Sequence, residues 1–509
     1  MARYAEHEGD EIDPSAAFSA DLQRPAEIGL APRVLGSAKS NGGVSGAEMT
    51  ALSAPLLKKD AMATVEPAGE LVAQERPRGA MERLVSMDAF RGLVMVMMVS
   101  AGLRLGDVIK NMQGVEAVRT WASLSSWDFA GAVANTKAGM APASWRAVAE
   151  QTDHVAWRGA ALWDFIQPSF MFMVGTAMAF SLASRRAKGQ SFGWMIFHAI
   201  WRSAVLVLLA VFMGSNGTRT NWQFTNVLAQ IGLGYTFLFL VAWLKPRWQL
   251  VSAVVILAGY WALFAFSAKP AEGFDWKSRG VAADWKKLEG FGVHWEKNAN
   301  AAAEFDRRFL NWFPQVPTKK EPAGKAFDYN PGGYATLNFV PSLATMIFGL
   351  LAGEWLRCRD RGAGKKFGGL MVAGAVAIGV GWGLDYMGWC PLIKRIWTPS
   401  WAVLSAGVAL AALGVFYLVV DIARFRIWAV PLIVVGMNSI AMYYMFQMFQ
   451  PFVRDNVKRH FGGEDVFDHW SVSLTGSKVF APAVNAVVFL LLSWAAIWWM
   501  YRRKIFIRI

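Results

Sequence analysis

Apolar residues in this chain gather into long unbroken runs instead of alternating with polar ones. Runs fall at about 86–103, 160–183, 192–214, 226–244, 248–268, 338–356, 367–387, 398–420, 427–449 and 478–500. Each, at roughly 17–24 residues, is long enough to cross a bilayer as one helix. Backbone N–H and C=O groups in lipid must bond within the segment, so such runs read as helices and not as strands. The pattern predicts an all-α polytopic membrane protein of about ten transmembrane helices. Pro341, Pro399 and Pro431 fall near run starts, where a missing amide costs little. Pro168 lies deeper in its run, which predicts a kink.

Composition agrees with this reading. Of 509 residues 55% are hydrophobic, with 25 Trp and 34 Phe, too apolar for a soluble enzyme. The formal net charge of +14 would suggest nucleic acid in a soluble chain. Here the basic residues collect in short loops, so no nucleic-acid partner is expected and the partner is the lipid bilayer. Arg185, Arg186 and Lys188 follow the second run, and Lys245 and Arg247 the fourth. Arg357, Arg359, Arg361, Lys365 and Lys366 follow the sixth, Arg424 and Arg426 the eighth, and Arg502, Arg503, Lys504 and Arg508 the tenth. All fall on one side, which the positive-inside rule makes cytoplasmic, with both termini on that side. Cys358 and Cys390 are then on opposite sides and predict no disulfide.

Residues 1–80 are rich in Ala, Gly, Ser, Pro and charge without periodicity. They read as a disordered cytoplasmic tail, and no signal peptide is expected there. Residues 81–509 form the membrane domain. Two long loops, 104–159 and 269–337, are expected on the outer face. They carry Trp121, Trp127, Trp157, Trp276, Trp285, Trp295 and Trp312. These suit interfacial anchoring and loop packing better than a stacking platform for a sugar.

Candidate chemistry sits in the stretch HVAWRGAALWDFIQPSFMFMVG, residues 154–175. His154 and Asp164 stand at the mouth of a membrane helix, where ionisable groups are costly unless they face protein or water. Imidazole titrates near neutral pH and serves as a base or nucleophile. Asp164 is suited to orient the ring. Asp153, nearer in sequence, reads as solvated. At the cytoplasmic end of the first run, Asp88 and Arg91 are three apart and share a helix face. They read as a local ion pair, or Arg91 attracts phosphates through its planar fork. His198 and Arg202, one turn apart in the third run, read as internal helix contacts. The six His residues show no ligand spacing, so no metal is expected.

The motifs resemble one family. Ser-Met-Asp-Ala-Phe-Arg-Gly at residues 86–92 resembles the span-one signature of the heparan-alpha-glucosaminide N-acetyltransferase family, including its bacterial transmembrane acyltransferase relatives. His154, Trp157 and Asp164, then Pro168, Phe170, Phe172 and Gly175, resemble its following run. Asn300 and Asp306 in NAAAEFD, the helix PSLATMIFGLLAG, Lys394 to Ser400 in KRIWTPSW, and Gly436, Asn438 and Tyr443 follow in the family's order.

The resemblance implies a membrane acyltransferase. It would move an acetyl group from cytosolic acetyl-CoA to an amino sugar or sugar hydroxyl on the other side. His154 matches the family's active-site histidine, with Asp164 in support, either as an acetylated nucleophile or as a base in direct transfer. Arg91 and Asp88 are the candidate acetyl-CoA-binding residues. Trp157, Asn438, Lys394 and Asp306 are the candidate substrate-binding residues, Asn438 and Lys394 as donors to the thioester oxygen. Departures from members near the human enzyme fall at Val99-Ser100-Ala101-Gly102, at Leu228-Ala229-Gln230 and at Asn330-Pro331-Gly332-Gly333. They point to an envelope or periplasmic amino sugar instead of heparan; the expected location is a bacterial inner (plasma) membrane. A homo-oligomer stays open. The alternative is a transporter or flippase-like protein on the same fold without acyl transfer.

Overall fold

The computed structural model describes residues 84–112, 143–215, 219–314 and 326–507. The expected tail at 1–80, and the parts of the long loops at 113–142 and 315–325 with Trp121 and Trp127, lie outside the described residues. Arg83–Ile509 forms one compact unit. The described residues form an all-α polytopic membrane protein.

All ten apolar runs are helical. The long helices are α1 (Val85–Val99), α4 (Ile166–Ala187), α5 (Phe192–Gly214), α7 (Pro246–Ala265), α9 (Phe339–Arg357), α10 (Ala363–Tyr386), α11 (Pro399–Phe416) and α15 (Ala481–Arg502). With their flanking turns, these eight are long and apolar enough to cross a membrane. The fourth run forms a shorter helix, α6 (Val227–Val241). The ninth run is broken: α12 (Val430–Met437) and α13 (Ser439–Phe461) meet at a 70° bend. Short helices α2 (Leu105–Met112), α3 (Ala143–Gln151), α8 (Ala301–Phe309) and α14 (Val466–Thr475) lie between the long ones.

The predicted kink at Pro168 is absent. Pro168 sits in the first turn of α4, which continues unbroken to Ala187. Its missing amide is one that no preceding carbonyl would have paired.

Glycines set the packing of the central helices. A Cβ on Gly175 would overlap the carbonyl of Met346, and one on Gly349 the carbonyl of Phe172, so α4 and α9 approach backbone to backbone. Gly92 and Gly436 do the same for α1 and α12, against Leu432 and Asp88. Lipid supplies no hydrophobic drive between helices, and small residues let close van der Waals packing replace it. Outer faces are apolar in the opposite sense: Trp201, Leu208 and Phe212 on α5, Val251 and Val255 on α7, and Val372 and Val376 on α10 are exposed. These are surfaces for acyl chains and not for water.

Polar side chains close the helix ends that the backbone leaves open. Leu84 offers α1 no side-chain cap. The Asp421 carboxylate, carried on the π-helical turn Tyr417–Ile422, accepts from Val85 N at 3.2 Å and Ser86 N at 3.3 Å instead. At the break between α12 and α13, Asn438 donates to Ile505 O at 2.9 Å and accepts from Ile507 N at 3.1 Å.

Past Ser100 the chain makes a left-handed turn, with φ of 47°, 62°, 52° and 50° at Ala101, Gly102, Leu103 and Arg104. Three of these are not glycine, and left-handed backbone costs such residues about 1–2 kcal/mol each. A Cβ on Gly102 would lie 2.6 Å from the carbonyl oxygen of Thr152. The far end of α1 is thereby held against the segment leading to His154.

Candidate functional site

His154 lies in the loop that leaves α3. The Thr152 hydroxyl bonds back to Val148 O and Ala149 O at 3.1 Å and ends that helix. Asp153 accepts from the backbone N–H of His154 at 2.7 Å and so shapes the loop without meeting the ring. Asp164 sits one turn ahead of α4, in the 3-10 turn Leu162–Phe165. One carboxylate oxygen, Oδ2, accepts from Ala161 N at 3.1 Å and Val155 N at 3.3 Å. The other, Oδ1, meets His154 Nδ1 at 2.8 Å and Lys394 Nζ at 3.1 Å. Lys394 Nζ also reaches His154 Nδ1 at 2.9 Å. The three groups thus form a closed triangle.

Their exposure is graded. The side chains of Asp164 and Lys394 are 1% and 7% exposed, that of His154 40%. Both printed contacts of the ring fall on Nδ1, and no described protein group bonds Nε2. Burial pushes Lys394 down to about 8, with Arg395 acting in the same direction against the opposing pull of Asp164.

The loop that delivers Lys394 is built by its own sequence, KRIWTPSW. The Thr398 hydroxyl accepts from Ile393 N at 3.1 Å, and the Ser400 hydroxyl donates to Pro391 O at 2.8 Å. Trp397 turns through φ 48° and donates its indole N–H to Thr345 on α9 at 3.2 Å. This loop is then fastened to the His154 loop. Gly159 N donates to Leu392 O at 2.9 Å, and Arg158 forms an isolated antiparallel bridge with Ile393. The Arg158 guanidinium grips Asp385 at the end of α10 through two contacts, at 2.9 and 3.2 Å.

An aromatic wall stands beside the triangle. Trp157 is 5% exposed, donates to Trp295 O at 3.1 Å and meets Trp285 edge-on. Lys297 lies over Trp285 at 4.6 Å. Arg395 lies over Tyr334 at 5.4 Å and donates to Gly332 O at 2.7 Å. Trp157, Trp285 and Trp295 thus pack the loops against each other, while Trp312 is exposed.

The remaining candidate residues lie elsewhere. Asp306 is buried on α8, where its carboxylate accepts from Thr336 N at 2.9 Å, and burial pushes it up to about 6. Asp88 is buried and Arg91 half-buried near the start of α1. Since Gly102 abuts Thr152, that start is on the order of 20 Å from His154, from the rise of an α-helix. Asn438 is at the Asp88 end too, because Gly436 packs on Asp88. Its amide is committed to the backbone at Ile505 and Ile507. The structure therefore does not bring Asn438 to His154, and Lys394 meets the ring and its carboxylate.

Arg91 lines a cavity of about 130 Å³ together with Arg202, Tyr235, Ser181 and Ser439. Arg202 donates to Tyr235 on α6 at 3.1 Å and its guanidinium lies over that ring. His198 turns instead toward Trp194 of its own helix.

Sequence reasoning missed the Lys394–Asp164 contact and the Arg158–Asp385 clamp. A signal for the second existed: Asp385 is a lone acid at the end of an apolar run, and Arg158 a lone base beside His154.

The triangle is chemically a histidine held at one nitrogen by a carboxylate, with the other nitrogen open. That is the arrangement of a general base or nucleophile.

No family model matches the chain. It is similar to heparan-alpha-glucosaminide N-acetyltransferase of Homo sapiens, 23% identical over 337 residues, which covers 58% of this chain and 49% of that protein. It is similar also to the Mus musculus protein of the same name, 24% identical over 328 residues, 57% of this chain and 48% of that protein. The chain spans about half the length of the curated relatives it matches, and its likeness to them is that of a distant relative.

Proposed function

We propose that the protein is a membrane acyltransferase with His154 as its reacting group. The observation that carries this reading is the triangle: His154 Nδ1 is held by Asp164 and Lys394 while Nε2 is open. The distant likeness to two acetyltransferases supports the same kind of chemistry. The donor is acetyl-CoA, entering from the cytoplasm at the Asp88 end. Arg91 and Arg202 line one cavity there, and guanidinium groups suit phosphate. The acceptor is an amine or hydroxyl of a sugar on the far face, beside Trp157, Tyr334 and Arg395. The membrane is a bacterial inner membrane.

The chemistry takes one of two balanced routes. In the first, Nε2 attacks the thioester carbonyl, a C–N bond forms, the C–S bond breaks and the CoA thiolate leaves. The acceptor then attacks the acetyl-imidazole, loses its proton and returns the free ring. In the second, Nε2 takes the acceptor's proton as the acceptor attacks the thioester carbonyl directly, the C–S bond breaks, and CoA leaves, taking the proton back from the ring. Asp164 supports the charged ring in either route.

The test uses purified protein in nanodiscs, radiolabelled acetyl-CoA and a panel of amino sugars. Label is expected on a sugar, or on the protein itself under the first route, and is expected to vanish in His154→Ala. Transport of a solute with no consumption of acetyl-CoA would instead establish the transporter reading.

A further inference from the structure

The triangle holds a conflict over one proton. His154 Nδ1, Lys394 Nζ and Asp164 Oδ1 each lie within hydrogen-bond reach of the other two, at 2.8, 2.9 and 3.1 Å. A carboxylate only accepts, an ammonium only donates, and a neutral imidazole has one nitrogen of each kind. With a charged lysine, an Nδ1–H would face the ammonium donor to donor at 2.9 Å. A bare Nδ1 accepts from the ammonium, whose other N–H groups serve Asp164 at the same time. With a neutral lysine the preference reverses. Its lone pair can face an Nδ1–H, that proton can go to Asp164, and one remaining lysine N–H still reaches the carboxylate.

We infer that Lys394 is a positioning residue whose charge selects the tautomer of His154. Neutral Lys394 sets the proton on Nδ1 and leaves Nε2, the open edge of the ring, with its lone pair. Charged Lys394 takes Nδ1 as acceptor and puts the proton on Nε2, where the ring is neither base nor nucleophile. The inference rests on reading His154 as the reacting group and assigns that reading its proton gate.

The surroundings fit such a gate. Lys394 is nearly enclosed, so its charge has little water to sustain it. The groups that act on it are Asp164 and His154 on the facing segment and Arg395 beside it on its own loop. Tyr334, across from Arg395, feels Arg395 and Asp164. Together, burial and these groups bring Lys394 to about 8, so both forms are populated near neutral pH. The Arg158–Asp385 clamp and the Gly159–Leu392 bond hold the two loops in register, so the conflict is not relieved by the lysine swinging away.

Two measurements test this. The first is the pH profile of acetyl transfer. If the rate follows neutral Lys394, it rises about tenfold between pH 7 and pH 9. In Lys394→Met that rise shrinks to less than about twofold, because the gate is gone. In Lys394→Arg, whose side chain stays charged, the rate is low at both pH values and does not recover. A lysine with only a structural role would lower the rate by one factor at every pH and leave the profile's shape intact, which would overturn the inference.

The second measurement needs no activity and no variant of Lys394. Protein labelled with 15N-histidine carries six such residues, and His154→Gln identifies the signal of interest. The Nδ1 resonance of His154 is expected to change from acceptor-type to N–H-type as pH rises through about 8. A single tautomer throughout that range would overturn the inference, whether or not the protein transfers acetyl groups.

Discussion

The two ends of the membrane domain are held together by different means. At the Asp88 end, α1 and α12 meet backbone to backbone through Gly92 and Gly436. Polar side chains there serve the ends of helices: Asp421 caps α1, and Asn438 ties residues 505 and 507 to the bend. At the His154 end, irregular loops are fixed by side-chain bonds that reach across more than two hundred residues, from Asp164 to Lys394 and from Arg158 to Asp385. Backbone packing sets the distance between helices and tolerates no added atom. A network of charged bonds sets the orientation of one ring and can be loosened a bond at a time. The first arrangement suits a scaffold with a binding mouth, and the second suits chemistry, where small displacements cost large factors in rate.

The difference is sharpest in the variants that break each kind of contact. Gly349→Val puts side-chain atoms into the Phe172 carbonyl where α4 meets α9. Backbone cannot give way there, so this variant is expected to lose folded protein outright, read as aggregation on size-exclusion chromatography in detergent. Asp164→Asn is expected to leave that elution profile intact but to lower the transfer rate by about three to four orders of magnitude. It removes the charge that supports the ring and leaves Lys394 buried without its counter-ion, at a cost of about 3–5 kcal/mol in a thermal melt.

Smaller effects follow at the edges of each region. Arg91→Gln is expected to raise the KM for acetyl-CoA about tenfold with little change in kcat, the signature of lost uniform binding. Arg158→Ala opens a clamp whose guanidinium is 49% exposed. Its cost in stability is about 1 kcal/mol or less, while kcat falls several-fold as the Lys394 loop loosens.

Asp306 gives a pH test of the loop layer behind the wall. Burial raises it from an ordinary 3.8 to about 6, so the folded state favours the protonated form. Its contribution to stability is then full below the unfolded value and is lost as pH rises through about 6. Asp306→Asn is expected to raise the melting temperature at pH 8, by up to about 3 kcal/mol of stability. At pH 4 it should leave the melting temperature unchanged.

The helical nature of the runs was legible in the sequence because long apolar runs admit one solution in lipid. Every run has its helix, but eight, or nine with the bent pair, and not ten are long and apolar enough to cross a membrane, and two further departures have physical causes. Asn438 is one polar residue inside an apolar run, and the partners that make it a break are 67 and 69 residues later. Pro168 looked deep in its run only because the run's first residues form a 3-10 turn before the helix proper. At the site, His154 and Asp164 are ten residues apart at a helix mouth, close enough in sequence for pairing to be read from chemistry. Lys394 was legible as a polar residue in a motif. Its place against both was not, since nothing local records a contact across 230 residues. Asn438 was given a role at the same centre for the same lack of distance information.

The most direct test of the account compares wild type with His154→Ala in two assays on the same preparations: CoA binding by calorimetry, and transfer of label from acetyl-CoA. Equal CoA affinity is expected in the two proteins if the donor binds, as proposed, at the far end of α1. Transfer, to a sugar or to the protein, is expected in wild type alone. Transfer that survives in His154→Ala with unchanged CoA affinity would place the reacting group elsewhere and contradict the central claim.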